Sequence, residues 1–244
     1  MKNALIVGGA NGIGLSIATE MAKRDEYDSI YIVDRAYIAD EFNNKKFRYY
    51  NFDLLNGDYS IFDSFSNIDT LMITAGFAKL ALFKEIDEQH IIDSINVNTT
   101  SVIRIIHKFY DKIHNEKDFY CGVMVSIAGF MSSPFFSVYA ASKAALKIFI
   151  ESVNVELSKS GTSNRILNVS PGSIKGTSFN NGKTDLAQTE LLAKEIIFHL
   201  ENKNDLFIPQ YEEIFKTVLK RYHDDFRKEG SHSYDYKKNS GRIK

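Results

Sequence analysis

The residues best equipped for chemistry lie past the middle of the chain, in Tyr139-Ala140-Ala141-Ser142-Lys143. A spacing of four on a helix puts the phenol and the ammonium on one face, a turn apart. A tyrosine with its ordinary pKa of about 10 is a weak acid toward a developing alkoxide, and a fixed cation nearby favours the phenolate. Taken alone, the same spacing is that of a weakly stabilising surface pair, so other residues must carry the reading. Ser126 is the first of them. It closes an apolar run 13 residues before Tyr139, where its hydroxyl can share a sheet edge with the phenol and hydrogen-bond a carbonyl undergoing reduction. The alternative is a solvated serine at a strand end.

A second constellation sits at the N-terminus. Ala4-Leu5-Ile6-Val7 runs into Gly8-Gly9-Ala10-Asn11-Gly12-Ile13-Gly14, after which a helical pattern begins. Missing Cβ atoms at Gly8, Gly12 and Gly14 allow a tight turn and a close approach of a pyrophosphate to backbone N–H groups at the positive end of the helix. Glycines alone also make ordinary turns, so Asp34 matters. It ends the next strand 20 residues after Gly14, where a carboxylate can accept hydrogen bonds from the adenosine ribose and repel a 2′-phosphate. NAD is thereby favoured over NADP. Arg35 follows directly and can greet a phosphate instead, and an exposed turn residue is the plain alternative for Asp34. Asp53 with Leu54, and Ala75-Gly76, end the following strands and so join the same sheet edge as cofactor-contact candidates.

The elements that must position these groups alternate. Strand candidates fall at 4–7, 30–33, 47–52, 71–74, 123–126, 166–169 and 206–208, with helical patterns between most of them. Such alternation predicts one α/β domain with a mainly parallel sheet of about seven strands. The longest helical stretches, 93–114 and 139–160, carry apolar residues at three and four spacing, such as Ile103, Ile106 and Ile113, and Leu146, Ile150, Val153 and Leu157; each buries one face. No repeat or low-complexity segment interrupts this pattern.

Composition bounds the rest. The 244 residues are 44% hydrophobic and 25% charged, and 30 basic against 31 acidic residues leave a formal net charge of -1. This is a globular balance, and it gives no electrostatic reason to expect nucleic acid or an anionic membrane as partner. No apolar run is long enough for a membrane span and the start is unlike a signal peptide, so the cytoplasm is the simplest compartment. The single cysteine, Cys121, lies in an apolar run and reads as a buried strand thiol. The six histidines show no metal-ligand spacing, so no metal is expected.

Gly8 to Gly14, Asp34, Asp53, Asn98, Ser126, Tyr139, Lys143 and Pro171-Gly172 fall in the order and approximate spacing of the short-chain dehydrogenase/reductase family, which the chain resembles over residues 3 to 209. The resemblance implies a single Rossmann-type, doubly wound domain and a catalytic tetrad. In it Tyr139 is acid or base, Lys143 binds the nicotinamide ribose and lowers the tyrosine pKa, Ser126 orients substrate, and Asn98 holds a water of the proton relay. It also implies that the backbone at Ile174, in Pro171-Gly172-Ser173-Ile174, pairs with the carboxamide, that Thr177 reaches the cofactor phosphates, and that the chain forms a homodimer or homotetramer. Three positions depart from the family pattern: Val7 stands where Thr is usual, Ile73-Thr74 replaces an Asn pair, and Thr177 comes one place late.

The activity implied is NAD(H)-dependent interconversion of a secondary alcohol and a carbonyl. The segments 77–80, 127–136 and 173–183 are expected to line the substrate cleft, with Phe77, Ser126, Phe130 and Phe136 as contacts and Phe135 and Phe179 nearby; phenylalanines at such places also serve as plain core. The domain is expected to span 1–221. The polar stretch 222–244 lacks an apolar period and reads as a surface-packed or flexible tail, or more sharply as a lid or a subunit-bridging arm. Rival readings are a dinucleotide-binding sensor or scaffold that does not catalyse, an NADP(H)-dependent carbonyl reductase, and enoyl reduction or epimerisation on the same fold.

Overall fold

The computed structural model describes residues 1–177, 179 and 183–240. Part of the segment 173–183 and the end of the stretch 222–244 therefore lie outside the described residues.

Seven strands form one sheet: β1 (Lys2–Val7), β2 (Tyr27–Asp34), β3 (Phe47–Asn51), β4 (Thr70–Ile73), β5 (Tyr120–Met124), β6 (Ile166–Val169) and β7 (Leu206–Phe207). Their order is β3-β2-β1-β4-β5-β6-β7, and every neighbouring pair is parallel. This is the Rossmann-type, doubly wound arrangement, with its switch point between β1 and β4.

The uninterrupted apolar run of β1 follows from burial on both faces. Successive side chains point to opposite sides of a strand. Leu5 and Val7 join the core cluster that also holds Leu71, Ile73 and Val123, while Ala4 and Ile6 join the cluster on the other side with Met72 and Val169. Helices α1 (Gly12–Ala22) and α6 (Leu186–Glu201) cover this second face, through Leu15, Ile17, Ile196 and Leu200.

The first face is covered by α3 (Ser101–Lys108) and α5 (Ser137–Ser160). Leu146, Ile150, Val153 and Leu157 of α5 are buried there, as their spacing requires, and Gly161 ends the helix in the left-handed region at φ 90°.

The predicted helix 93–114 is not continuous. It divides into α2 (Glu88–Ile95), a π-helical turn at Asn96–Thr100, α3, and a short α4 (Tyr110–Ile113) after a break at Phe109. The wider turn carries one extra residue, and the polar pair Asn98 and Thr99 is buried within it.

Within the stretch 222–244 the described residues are largely helical. The first belong to α7 (Lys216–Asp224), and most of the others form α8 (Phe226–Asn239), whose start is capped by the Asp225 carboxylate accepting from the N–H groups of Arg227 and Lys228 at 3.0 Å. Two parallel hydrogen bonds from Arg221 to Glu229, 2.6 and 2.9 Å, join the two helices. Glu229 and Gly230 are the buried residues of α8. A contact made by a carboxylate and a glycine has no apolar period, and so the pattern of the sequence concealed it. Among the described residues no helix is long and apolar enough to cross a membrane.

Candidate active site

Two adjoining cavities, each of about 290 Å³, lie at the carboxyl edge of the sheet and share Gly8, Asn11, Thr74, Gly76 and Phe77 as a common wall. Gly12, Ile13, Gly14, Ser126, Tyr139, Lys143, Pro171, Gly172, Ile174 and Thr177 line the first. Asp34, Arg35, Asp53, Leu54 and Ala75 line the second. Every residue expected to contact cofactor thus borders one or the other half of the groove that these adjoining cavities make. Of the expected substrate contacts, Phe77 and Ser126 line it, as does Phe179. Phe130 does not; its ring lies under the Lys147 ammonium, 5.0 Å away. Phe136 stands behind the wall, with its ring centroid 5.8 Å from that of Tyr139.

The glycine turn is fixed from outside as well as within. Gly8 has φ 86°, and a Cβ on it would come within 2.4 Å of the Ala75 nitrogen. A Cβ on Gly14 would fall 2.2 Å from the Gly8 carbonyl oxygen and 2.4 Å from Thr74 Oγ1. Thr74, the departure from the family's Asn, donates its hydroxyl to Gly8 O at 2.8 Å and lies 3.1 Å from Val7 O, so it laces strand β4 to the turn. The Asp34 carboxylate accepts from Ala10 N and Ala36 N, each at 3.0 Å. It is held at the end of β2 facing the second cavity.

Ser126 lies just past β5 and is buried; its Oγ accepts from Ala128 N at 3.1 Å, and its hydroxyl is near enough to that of Tyr139 to favour the phenolate. Tyr139 is in the first turn of α5. Burial pushes its phenol up to about 12, with the Ser126 hydroxyl opposing. Lys143 is buried one turn on, its Nζ donating to Met124 O at 2.9 Å and standing 5.7 Å from the Tyr139 ring centroid. Burial pushes its ammonium down to about 8. The spacing led us to expect a tyrosine drawn toward its phenolate. In the free chain desolvation is the larger effect and works the other way, disfavouring each charged form.

Asn98 is fully buried in the π turn. Its Oδ1 accepts from Phe77 N at 2.9 Å, and its Nδ2 donates to Phe77 O at 2.9 Å and to Ser142 Oγ at 3.2 Å. Ser142 Oγ in turn donates to Tyr139 O at 2.7 Å, so Asn98 braces both the Phe77 wall and the first turn of α5. A Cβ on Gly76 would lie 3.1 Å from Asn98 Oδ1 and 3.4 Å from Lys143 Nζ, so the bare glycine gives these two side chains room.

Sequence reasoning missed Gly129 and Thr184. A Cβ on Gly129 would meet the Lys143 backbone at 2.8 Å, so only glycine lets the turn after Ser126 approach α5. Thr184 Oγ1 accepts from Gly12 N at 3.1 Å, at the start of α1. Neither has a local sequence signal, because both contacts join segments distant in the chain. Among the described residues no group of three or more His, Cys, Asp or Glu is placed to hold a metal ion.

Fold and groove together define a doubly wound α/β protein with a ligand cleft at its switch point. The chain belongs to the short-chain dehydrogenase family of oxidoreductases, whose profile matches residues 2–187. It is 28% identical over 212 residues to an uncharacterised oxidoreductase of Saccharomyces cerevisiae, a match covering 80% of this chain and 66% of the yeast protein. It is 27% identical over 170 residues to the 11-beta-hydroxysteroid dehydrogenase-like 4A protein of Arabidopsis thaliana, covering 64% of this chain and 56% of that one. The chain therefore spans less than two thirds of either relative's length. An alcohol dehydrogenase of Thermococcus sibiricus, solved in complex with 5-hydroxy-NADP, superposes with a TM-score of 0.70 at 20% identity, over 85% of this chain and 95% of that one; this likeness is one of fold.

Proposed function

We propose that the protein interconverts a secondary alcohol and a carbonyl with NAD(H), using Tyr139, Lys143, Ser126 and Asn98 to manage the proton. The observation that carries this reading is the convergence of the Ser126 and Tyr139 hydroxyls on one cavity wall, above a buried Lys143.

The groove fits a dinucleotide. The first turn of α1 bears no acidic side chain, so no like charge there opposes a pyrophosphate at the positive end of that helix beside the glycine turn. Asp34 and Arg35, with Asp53 and Leu54, would hold the adenosine half; Lys143, Pro171-Gly172, Ile174 and Thr177 would hold the nicotinamide half. When bound, the nicotinamide supplies or accepts the hydride. The Asp34 carboxylate favours ribose hydroxyls over a 2′-phosphate at the adenosine end, which supports NAD as the preferred form.

At neutral pH the Tyr139 phenol keeps its proton and Lys143 is mostly charged, given their values of about 12 and about 8. The pair is set to act as an acid. Ser126 Oγ and the Tyr139 hydroxyl donate to a substrate oxygen placed between them, and the Tyr139 proton moves to that oxygen as negative charge develops. The Lys143 ammonium then stabilises the phenolate left behind. Asn98 steadies the first turn of α5 and is the proposed holder of the relay water. Phe77 and Phe179 give the cleft apolar walls suited to a partly apolar substrate.

The test is a panel of ketones and alcohols followed by NADH and NADPH absorbance. Tyr139→Phe is expected to lower kcat by about 100-fold or more while NADH still binds, as read by its fluorescence. Turnover preserved in that variant would overturn the role given to Tyr139, and activity with NADPH alone would overturn the reading of Asp34. Self-association belongs to the same proposal: Ile148 and Val155 stand exposed on α5, and a homodimer or homotetramer would bury them. A monomer by light scattering at micromolar concentration would refute that.

A further inference from the structure

Helix α5 carries both Tyr139 and Lys143, yet no side chain caps its start at Phe136. The loop that leads into it is held instead by the far end of the chain. Lys237 of α8 extends its Nζ to donate to Ser133 Oγ at 2.7 Å and to Pro134 O at 2.8 Å. The same ammonium lies 5.2 Å from the ring centroid of Phe136. One turn earlier on α8, Tyr234 stacks on Phe135, with centroids 4.6 Å apart and planes 30° from parallel.

Phe135 is a point of strain. Its φ of 66° lies in the left-handed region, uncommon for a bulky side chain, and such a conformation persists only where its surroundings impose it. Here they do: the Phe135 ring is trapped against Tyr234, and its carbonyl accepts from Ala81 N at 3.0 Å. From this fixed residue the chain enters α5 directly. Phe136 N donates to Ser133 O at 2.9 Å, Phe136 O accepts from Ala140 N at 2.7 Å, and the Phe136 ring packs against Tyr139.

Lys237 itself is an unusual anchor. Its side chain is half-buried, burial pushes its ammonium down to about 8, and among the described residues no carboxylate forms an ion pair with it. A desolvated cation bonded only to a hydroxyl and a carbonyl is retained at a cost, which a role in fixing the loop explains.

We propose that Lys237 and Tyr234 are positioning residues for Tyr139: α8 clamps the loop 132–136 from outside and so sets the first turn of α5 and the aromatic wall behind the phenol. The inference rests on Tyr139 acting as the proton donor. It makes the terminal helix part of the catalytic geometry without contact between α8 and the reacting atoms.

The test compares the full-length protein with Lys237→Met, Lys237→Arg and Tyr234→Leu. Lys237→Met is expected to lower kcat by about tenfold or more, since small misplacements of a reacting group are costly, and to leave the NADH dissociation constant unchanged. Lys237→Arg keeps the charge and the donors and should recover most of the loss. In the free protein, amide exchange over 130–137 should quicken in Lys237→Met and Tyr234→Leu, with no change in the strands. A kcat within twofold of wild type in both the Met and the Leu variants would overturn the proposal, as would a loss of kcat with exchange over 130–137 unaltered. If wild-type protein turned over no carbonyl, the proposed activity would fall. The exchange measurement would still decide whether the clamp exists.

Discussion

Thr74 illustrates how a departure from a family pattern can hold a site together. Its hydroxyl reaches the Gly8 carbonyl at the tightest point of the glycine turn, where Gly14 also passes within a distance no Cβ would tolerate. Thr74→Val keeps the shape of the side chain and removes the donor, leaving a part-buried carbonyl without that partner. The expected outcome is a loss of about 1 kcal/mol or more in urea unfolding, together with weaker NADH binding because the pyrophosphate turn loosens. If stability and binding are both unaltered, the hydroxyl is idle and the turn is held by its glycines alone. Tyr139 and Lys143 make a complementary point. Their spacing was legible from the sequence, but the direction in which burial moves the phenol was not, since desolvation depends on residues that arrive from other strands and helices.

At the scale of elements, what could be read was what is local. Short, largely apolar segments located the seven strands to within a few residues, and the expected start of α5 at Tyr139 falls two residues after its observed start at Ser137. Short-range period and spacing encode such features directly. The π turn at Asn96–Thr100 was not legible, because its cause is tertiary: Asn98 is drawn inward to bond the Phe77 backbone and Ser142. The same is true of α8, which packs through Glu229, Gly230, Tyr234 and Lys237, a mixture no hydrophobic period would reveal. Phe130 shows the limit from the other side: an aromatic at the right place in the chain, turned away from the groove by the turn that Gly129 permits.

Among the described residues two desolvated lysines, the buried Lys143 and the half-buried Lys237, have no carboxylate in an ion pair with them, and this should appear in the stability of the fold. Lys143 and Lys237 each sit near 8 in the folded chain and return to their ordinary 10.5 on unfolding. Between those values the unfolded chain binds more protons than the folded one, so the slope of unfolding free energy against pH is positive. In other words, a penalty carried below about 8 is relieved as the two folded-state ammoniums lose their protons. Cys121, buried in β5, acts in the opposite sense. Burial pushes its thiol from 9.0 up to about 12, so its contribution is intact below 9 and is lost as pH rises through the folded value. Tyr139 follows the same sign above its ordinary 10.0. The interval from about pH 8 to pH 9 is therefore governed by the lysines, and the urea midpoint is expected to rise across it. In Lys237→Met the rise should shrink, one of the two groups having been removed. A midpoint that fell across that interval would mean that these ammoniums gain, rather than lose, stabilisation on folding, and the reading of both as desolvated cations would have to be abandoned.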